Sequence, residues 1–356
     1  MLAGFSPLQY VFCARLRIDS SRFAATPVLR FVTDNMELIF LGTSAGAPTK
    51  TRNVTGLAVR RAGSRSWCLV DCGEGTQHRL LHTGLSLRAL DAICITHVHG
   101  DHCFGLPGLL DSAGMQGRTE ALTIYGPEPI ARFIAAAREV SGSWTPFPID
   151  FRPIEHQEGE FAAGEFAVTR SALSHRVPCY AYAFRETGIE RKLDRAKLAA
   201  RGVPAGPLWN LLHGGKDVAL DDGSIVAAED VLLPARRARK IVVGGDNDTP
   251  ALLAQACIGA DVLVHEATYT TEVAQKVGPV PQHSTAQAVA EFARDAALPN
   301  LVLTHFSARY QDNPAHAPSI GDVENEARRF YSGRLFLARD LETYRLDREG
   351  VLGKVA

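Results

Sequence analysis

Ile95-Thr96-His97-Val98-His99-Gly100-Asp101-His102-Cys103-Phe104-Gly105 places three imidazoles and a carboxylate between positions 97 and 102. Neutral imidazole nitrogen and carboxylate oxygen form a donor set that Zn²⁺ accepts while keeping one position open for water. Histidines rarely crowd this closely on a loop that is merely solvated. His97 and His99, two apart in extended chain, can point the same way, and Asp101 and His102 follow just beyond Gly100. The stretch reads as half of a catalytic metal centre, with pairs enough to serve two neighbouring cations. Other ligands must come from elsewhere in the chain.

Outward from this motif, short apolar runs rich in β-branched residues at 37–41, 67–70, 92–96, 241–243, 261–264 and 301–304 read as buried strands. Their ends carry chemistry. Asp71 follows the second run, His97 the third, His265 the fifth and His305 the last, and Asp246 follows the fourth through Gly244 and Gly245. His175 comes just after a further strand-like stretch, 166–173. Helical periodicity occupies 129–140, 249–256, 284–296 and 320–331, with Ser284 and Thr285 as candidate caps of the third. Alternating strands and helices predict a layered α/β fold whose site sits where strand ends meet irregular loops. His175, Asp246 and His305 are the candidates to complete the ligand set. A lone strand-end histidine is more often structural; three such residues beside the central motif make a stronger case together.

Composition narrows the class. The 356 residues are 46% hydrophobic, enough for one large core or two modest ones, and carry a formal net charge of −1. A nucleic-acid partner therefore requires a local basic patch. The seven cysteines form no CxxC pair and fall mostly within apolar runs, as expected of core residues in a reducing compartment. No apolar run reaches the length of a membrane span, so a cytoplasmic protein is expected. Residues 1–35 contain Arg15, Arg17, Arg22 and Arg30 but no apolar signal core, and read as a poorly ordered extension ahead of a second candidate start at Met36. The catalytic domain is expected over 36–350. Within it, 185–240 has weak strand signals and a turn-rich Gly202-Val-Pro-Ala-Gly206-Pro207. Six basic residues outnumber three acidic ones between 185 and 202. On charge alone, this is as compatible with an ordinary solvated face as with a binding surface.

His97-x-His99-x-Asp101-His102, followed by His175, Asp246 and His305, resembles the metallo-β-lactamase superfamily in its order of ligands. The resemblance implies a four-layer αβ/βα sandwich with a dinuclear site at one edge. It also implies His97, His99 and His175 on one zinc ion, Asp101, His102 and His305 on the other, and Asp246 bridging. Superfamily membership leaves the substrate open. Five further segments resemble the tRNase Z family: Leu41-Gly-Thr43-Ser44-Ala-Gly-Ala-Pro-Thr49, Asp71-Cys-Gly-Glu-Gly-Thr-Gln77, Phe104-Gly-Leu-Pro-Gly-Leu-Leu110, His265-Glu266-Ala-Thr-Tyr269 and His283-Ser-Thr285. The closing Thr304-His305-Phe-Ser307-Ala-Arg309-Tyr310 agrees with them, and the resemblance spans residues 36 to 347.

That family implies a zinc endoribonuclease with two ions per subunit, removing the 3′ trailer of precursor tRNA. In its pattern His283 is the proton donor, with Glu266 a candidate to orient it, and Asp101 both binds metal and accepts the proton of the attacking water. Gly42, Thr43, Ser44 and Gly46 form a loop whose backbone N–H groups can come close to a phosphate, and Ser307 and Arg309 are further candidates on the substrate side. The 185–240 segment resembles the family's flexible arm, which grips tRNA. Arg191, Lys192 and Arg195 are its candidate phosphate contacts and Gly206-Pro207 its characteristic turn. An arm reaching away from its own core implies a homodimer. The chain departs from the family at Asn247 and Asp248, where threonine and arginine are usual, and at Asn210 to His213 in the arm. Two other readings stay open: a metallo-hydrolase of small phosphodiesters or other esters, and a zinc-stabilised RNA-binding module without turnover.

Overall fold

A computed structural model describes residues 35–355, so the expected extension over 1–35 lies, apart from Asn35, outside the described residues. Two mixed sheets form the frame. The first has eight strands in the order Leu352–Lys354, Thr343–Leu346, Met36–Gly42, Gly56–Arg61, Trp67–Val70, Leu90–Cys94, Leu122–Gly126 and Ile149–Pro153. The second has seven: Arg334–Leu337, Asn300–Thr304, Val262–Glu266, Lys240–Val243, Cys179–Glu186, Phe166–Leu173 and Phe161–Ala163. All six apolar runs read as strands belong to these sheets.

Apolar residues on the inner faces meet between the sheets. Leu38, Phe40, Val59 and Val70 of the first pack with Tyr182, Phe184, Val243, Val264 and Val302 of the second. Two more clusters lie outside. Leu69, Ile93 and Ile124 pack with Leu106, Leu109 and Ile134 from helices Leu106–Met115 and Pro129–Ser141; Leu263, Leu301 and Leu303 pack with Val289, Ala293 and Val323 from helices Ala286–Asp295 and Ile320–Phe330. Strands buried on both faces explain why their sequences are continuous apolar runs rather than alternating ones. The result is the αβ/βα sandwich. Each fully buried aliphatic or aromatic side chain contributes about 1.5–3 kcal/mol.

Local chemistry sets the helix ends. Pro129 opens its helix where no N–H is needed, and Gly142 closes it at φ 65°. Thr285 caps the Ala286–Asp295 helix by accepting from the Ala288 N–H, while the other candidate cap, Ser284, donates instead to the Asn247 carbonyl at 2.5 Å. The helix expected over 249–256 is a 3₁₀ turn, Pro250–Leu253, running into the short helix Ala254–Cys257.

The inserted segment is folded. Helices Arg195–Ala200, Pro207–His213 and Ala228–Val231 and the hairpin Val218–Ala219/Ile225–Val226 enclose their own apolar cluster of Leu198, Val203, Leu212, Val218, Val226 and Val231. Backbone bonds from Asp194 N–H to Val231 C=O at 2.7 Å and from Leu233 N–H to Lys192 C=O at 2.8 Å close its stem. No helix among the described residues is long and apolar enough to cross a membrane.

Candidate metal centre

Parallel strands deliver the polar groups to one rim. Trp67–Val70 and Leu90–Cys94 run parallel in the first sheet, as do Lys240–Val243, Val262–Glu266 and Asn300–Thr304 in the second. Asp71, His97, Asp246, Glu266 and His305 come at or just after their carboxyl ends, the usual place for a site in such sheets. The backbone is strained there. Asp71 (φ 59°), Gln282 (φ 54°) and His305 (φ 58°) are left-handed non-glycine residues, a conformation that costs about 1–3 kcal/mol each and concentrates at functional sites.

Donor atoms of His97, His99, His175 and Asp246 lie within 4.8 Å of one another, and so do those of Asp101, His102 and His305. Asp246 faces both groups. Its Oδ2 is 3.6 Å from His97 Nε2 and 3.7 Å from His175 Nε2, whereas its Oδ1 is 3.4 Å from both His102 Nε2 and His305 Nε2. Asp101 Oδ2 lies 3.5 Å from His102 Nε2 and 3.4 Å from His305 Nε2. All seven sequence-derived candidates converge here, and Asp246 is positioned between the two groups.

Outward-facing nitrogens decide the tautomers. His175 Nδ1–H donates to the Gln282 carbonyl at 3.0 Å and His102 Nδ1–H to the Asp71 carboxylate at 2.7 Å. The Thr96 hydroxyl gives its proton to Asp71 and so accepts from His97 Nδ1 at 3.0 Å; the Thr268 hydroxyl gives its own to Glu266 at 2.6 Å and accepts from His305 Nδ1 at 3.0 Å. Four Nε2 lone pairs are thereby aimed inward. His97 Nε2 and His175 Nε2 stand 3.0 and 3.1 Å from His99 Nδ1, and His102 Nε2 stands 3.2 Å from His305 Nε2. Nitrogens this close must share protons or a cation, and the carboxylates of Asp101 and Asp246 beside them add the negative charge that a cation would answer. This donor set fits a metal, and the outer partners are of the kind that orient metal ligands.

Electrostatics agree. Burial, reinforced by neighbouring imidazoles, holds His97 well below its ordinary pKa, so its ring is neutral. Burial opposes ionisation of Asp246, but His305, His102 and His97 keep its carboxyl well below the usual range. For His102, burial disfavours a proton, yet Asp246, Asp71 and Asp101 favour one there, a positive charge that a bound cation would supply instead.

Beside the cluster, His283 Nδ1 sits 3.1 Å from Glu266 Oε1 and 3.8 Å from Asp246 Oδ2. Glu266 is an anchor. Its Oε1 also accepts from the Asn247 and Ser284 N–H groups, and its Oε2 from the N–H and hydroxyl of Thr268. Burial lowers the pKa of His283, but the Glu266 carboxylate outweighs it and raises the value to about 9. Asn247, the departure from the family pattern, is buried and useful: its side-chain oxygen accepts from the Ser174 and Thr249 N–H groups, both at 3.2 Å.

Other expectations need correcting. Thr43 and Ser44 are fully buried and face no substrate. Thr43 Oγ1 donates to Asp340 and accepts from Arg52, Ser44 Oγ donates to Ala47 C=O, and both backbone N–H groups go to Asn53 C=O. The N–H that this loop offers at the site is that of Gly46, 2.7 Å from Asp101 Oδ2. Arg191 is committed within the arm, pairing with both Glu229 oxygens at 2.7 Å and donating to Leu233 C=O. Lys192, Arg195, Gly206 and Pro207 are exposed on the arm, which contributes no residue to the cluster. Ser307 is half-buried, and the Arg309 guanidinium lies 5.6 Å above the Tyr269 ring, itself 5.8 Å from His283. Sequence reasoning missed Thr96, Thr268 and Gln282, and aimed the Gly46 N–H at a phosphate where the structure aims it at Asp101. Thr96 and Thr268 were visible as hydroxyls next to the motifs; the contribution of Gln282 is a backbone group with no residue signature.

A family model described as the anti-Pycsar protein Apyc1 matches residues 36–134. Ribonuclease Z of Marinobacter nauticus is 55% identical over 320 residues, covering 90% of this chain and 99% of that protein. Among solved structures, human tRNase Z, short form, superposes with a TM-score of 0.57 at 26% identity over 86% of this chain and 98% of that one. The metallo-β-lactamase fold protein YhfI from Bacillus subtilis superposes with a TM-score of 0.60 at 19% identity, over 88% and 100% of the two chains.

Proposed function

We propose, from the premise that the chain belongs to the ribonuclease Z family, a division of labour among the residues of its centre. The enzyme is an endoribonuclease that removes the 3′ trailer of precursor tRNA by phosphodiester hydrolysis, leaving a 3′-hydroxyl. Two zinc ions per subunit are the assigned cofactors. His97, His99 and His175 hold one and Asp101, His102 and His305 the other, with Asp246 offering an oxygen to each. The observation that carries this reading is that carboxylate, whose two oxygens face different histidine sets at 3.4–3.7 Å. When bound, the pair of ions lowers the pKa of the attacking water and opposes charge developing on the phosphate.

The chain's own residues do the rest. Gly46 N–H fixes the Asp101 carboxylate, which accepts the proton of the attacking water. Glu266 holds His283 through Nδ1, leaving Nε2 to protonate the leaving oxygen. Arg309 and Ser307 line the substrate side. On the arm, Lys192 and Arg195 are exposed to meet phosphates, and Gly206-Pro207 opens the helix Pro207–His213; Arg191 keeps the stem in shape. We assign a homodimer in which one subunit's arm holds the tRNA that the other cuts, supported by an arm with its own apolar core. A cytoplasmic setting is supported by six described cysteines that are free and buried.

The test is incubation with precursor tRNA bearing a 3′ trailer, with and without chelator. Trailer release should stop on chelation and return with added zinc. Undiminished cleavage in chelator sinks the metal assignment, and precursor binding without cleavage in saturating zinc favours the RNA-binding alternative.

A further inference from the structure

The arm joins the catalytic core through two irregular linkers, 187–191 and 233–239, neither of which forms a strand or helix. A cavity of about 380 Å³ separates its base from Arg348 and Glu349. Polar ties join both linkers to the core: the Thr187 hydroxyl donates to the Glu165 carbonyl at 2.8 Å, and Arg237 donates to the Gly259 carbonyl at 2.8 Å and pairs with Asp261. The most buried of these ties is a charged clasp. Glu186, the last residue of the strand Cys179–Glu186, is 1% exposed and sits where the outgoing linker begins. Across from it the returning linker brings two guanidiniums. Arg236 donates to both Glu186 oxygens at 2.8 and 3.1 Å; Arg239 donates through its backbone N–H at 2.9 Å, through Nε at 2.8 Å and through Nη2. The Glu186 N–H in turn reaches the Arg239 carbonyl at 3.1 Å, and Arg239 Nη1 donates to the Leu346 carbonyl at 2.9 Å in the neighbouring sheet. One buried carboxylate thus ties both linkers of the arm together and, through Arg239, to the opposite sheet.

We infer that Glu186 is a positioning residue for tRNA processing: its clasp on Arg236 and Arg239 sets the pitch at which the arm leaves the core. The inference rests on the reading of the arm as the element that holds tRNA. A buried carboxylate shared by two arginines is directional, and Arg forks hold it in a defined plane. Replacing its charge removes the carboxylate that the two guanidiniums share and loosens the returning linker from the strand end. An arm and an active site that bind one tRNA together behave as a bivalent binder, whose second contact depends on effective concentration. A loosened arm lowers that concentration without touching the chemistry.

The experiment compares the full-length holoenzyme with Glu186→Gln, Arg236→Gln and a variant lacking residues 188–234. Each is assayed on precursor tRNA and on bis(p-nitrophenyl) phosphate. Glu186→Gln should raise KM for precursor about tenfold while kcat stays within about twofold, and the small diester should be cleaved as before. Hydrogen exchange should quicken in both linkers and nowhere else. Arg236→Gln, which leaves the Arg239 contacts in place, should show a smaller rise and serves if Glu186→Gln does not fold. If arm deletion raises KM but neither point variant does, the clasp is not a positioning device. If arm deletion leaves KM unchanged, the arm does not hold tRNA, and the inference falls with that reading.

Discussion

The role proposed for His283 rests on a neighbour, not on its own position. Glu266 holds its Nδ1 at 3.1 Å and favours its charged form, so the proton on Nε2 is available at neutral pH. His283→Ala should lower kcat on precursor tRNA about 10²–10⁴-fold, the range for losing a general acid. Its effect on a nitrophenyl diester should be small, because that leaving group departs without a proton. Equal losses on both substrates would show a structural role instead. Asp71 acts at the same scale. Asp71→Asn places an amide N–H against the His102 Nδ1 proton, so it should weaken metal binding about 10–100-fold in a chelator competition titration. Unchanged affinity would mean that Asp71 does not orient His102.

At the level of elements, the loop after the first strand changes meaning between sequence and structure. Its glycine and hydroxyl residues suggested a phosphate cradle, yet its hydrogen bonds turn inward to Asp340, Asn53 and Ala47. What reaches the site is one amide, Gly46 N–H, and the carboxylate it serves is a proposed ligand, Asp101. The arm is the second such element. Its basic residues were legible as a patch, but its own apolar cluster and the pairing of Arg191 with Glu229 arise only when distant segments meet. The arm should also come loose before the core in acid. Burial opposes ionisation of Glu186, but Arg239 and Arg236 hold its pKa at about 2 against an ordinary 4.5. A carboxyl depressed in the folded state stabilises fully above its unfolded value, and that contribution is lost as pH falls from about 4.5 through 2. Hydrogen exchange in 187–191 and 233–239 should therefore accelerate over that window ahead of the sheets; simultaneous loss of both would count against a separable arm.

Across the whole molecule, two sheets with opposed parallel strand ends create one rim, and the proposed dimer sets an arm over a partner's rim. That arrangement makes a complementation prediction. A subunit lacking residues 188–234 keeps its centre, and a His283→Ala subunit keeps its arm. Mixed under conditions that allow subunit exchange, the two should cleave precursor well beyond the sum of their separate activities. No such gain, with heterodimers demonstrated by mass spectrometry, would mean that each arm serves its own centre.

Chain order alone marks out the candidate donors, because His97, His99, Asp101 and His102 are neighbours and His175, Asp246 and His305 each follow a strand-forming run. The sequence also carries the fold class, since buried strands write themselves as apolar runs. How the donors are held emerges on folding: which Asp246 oxygen faces which histidines, which hydroxyl, carboxylate or carbonyl fixes each tautomer, and why the hydrogen bonds of Thr43, Ser44 and Arg191 are spent within the protein. The reason is physical. Residue type and spacing set what a side chain can bond, but its hydrogen bonds go to whichever groups the folded loops bring within reach, and for Thr43 that group is Asp340, 297 positions away.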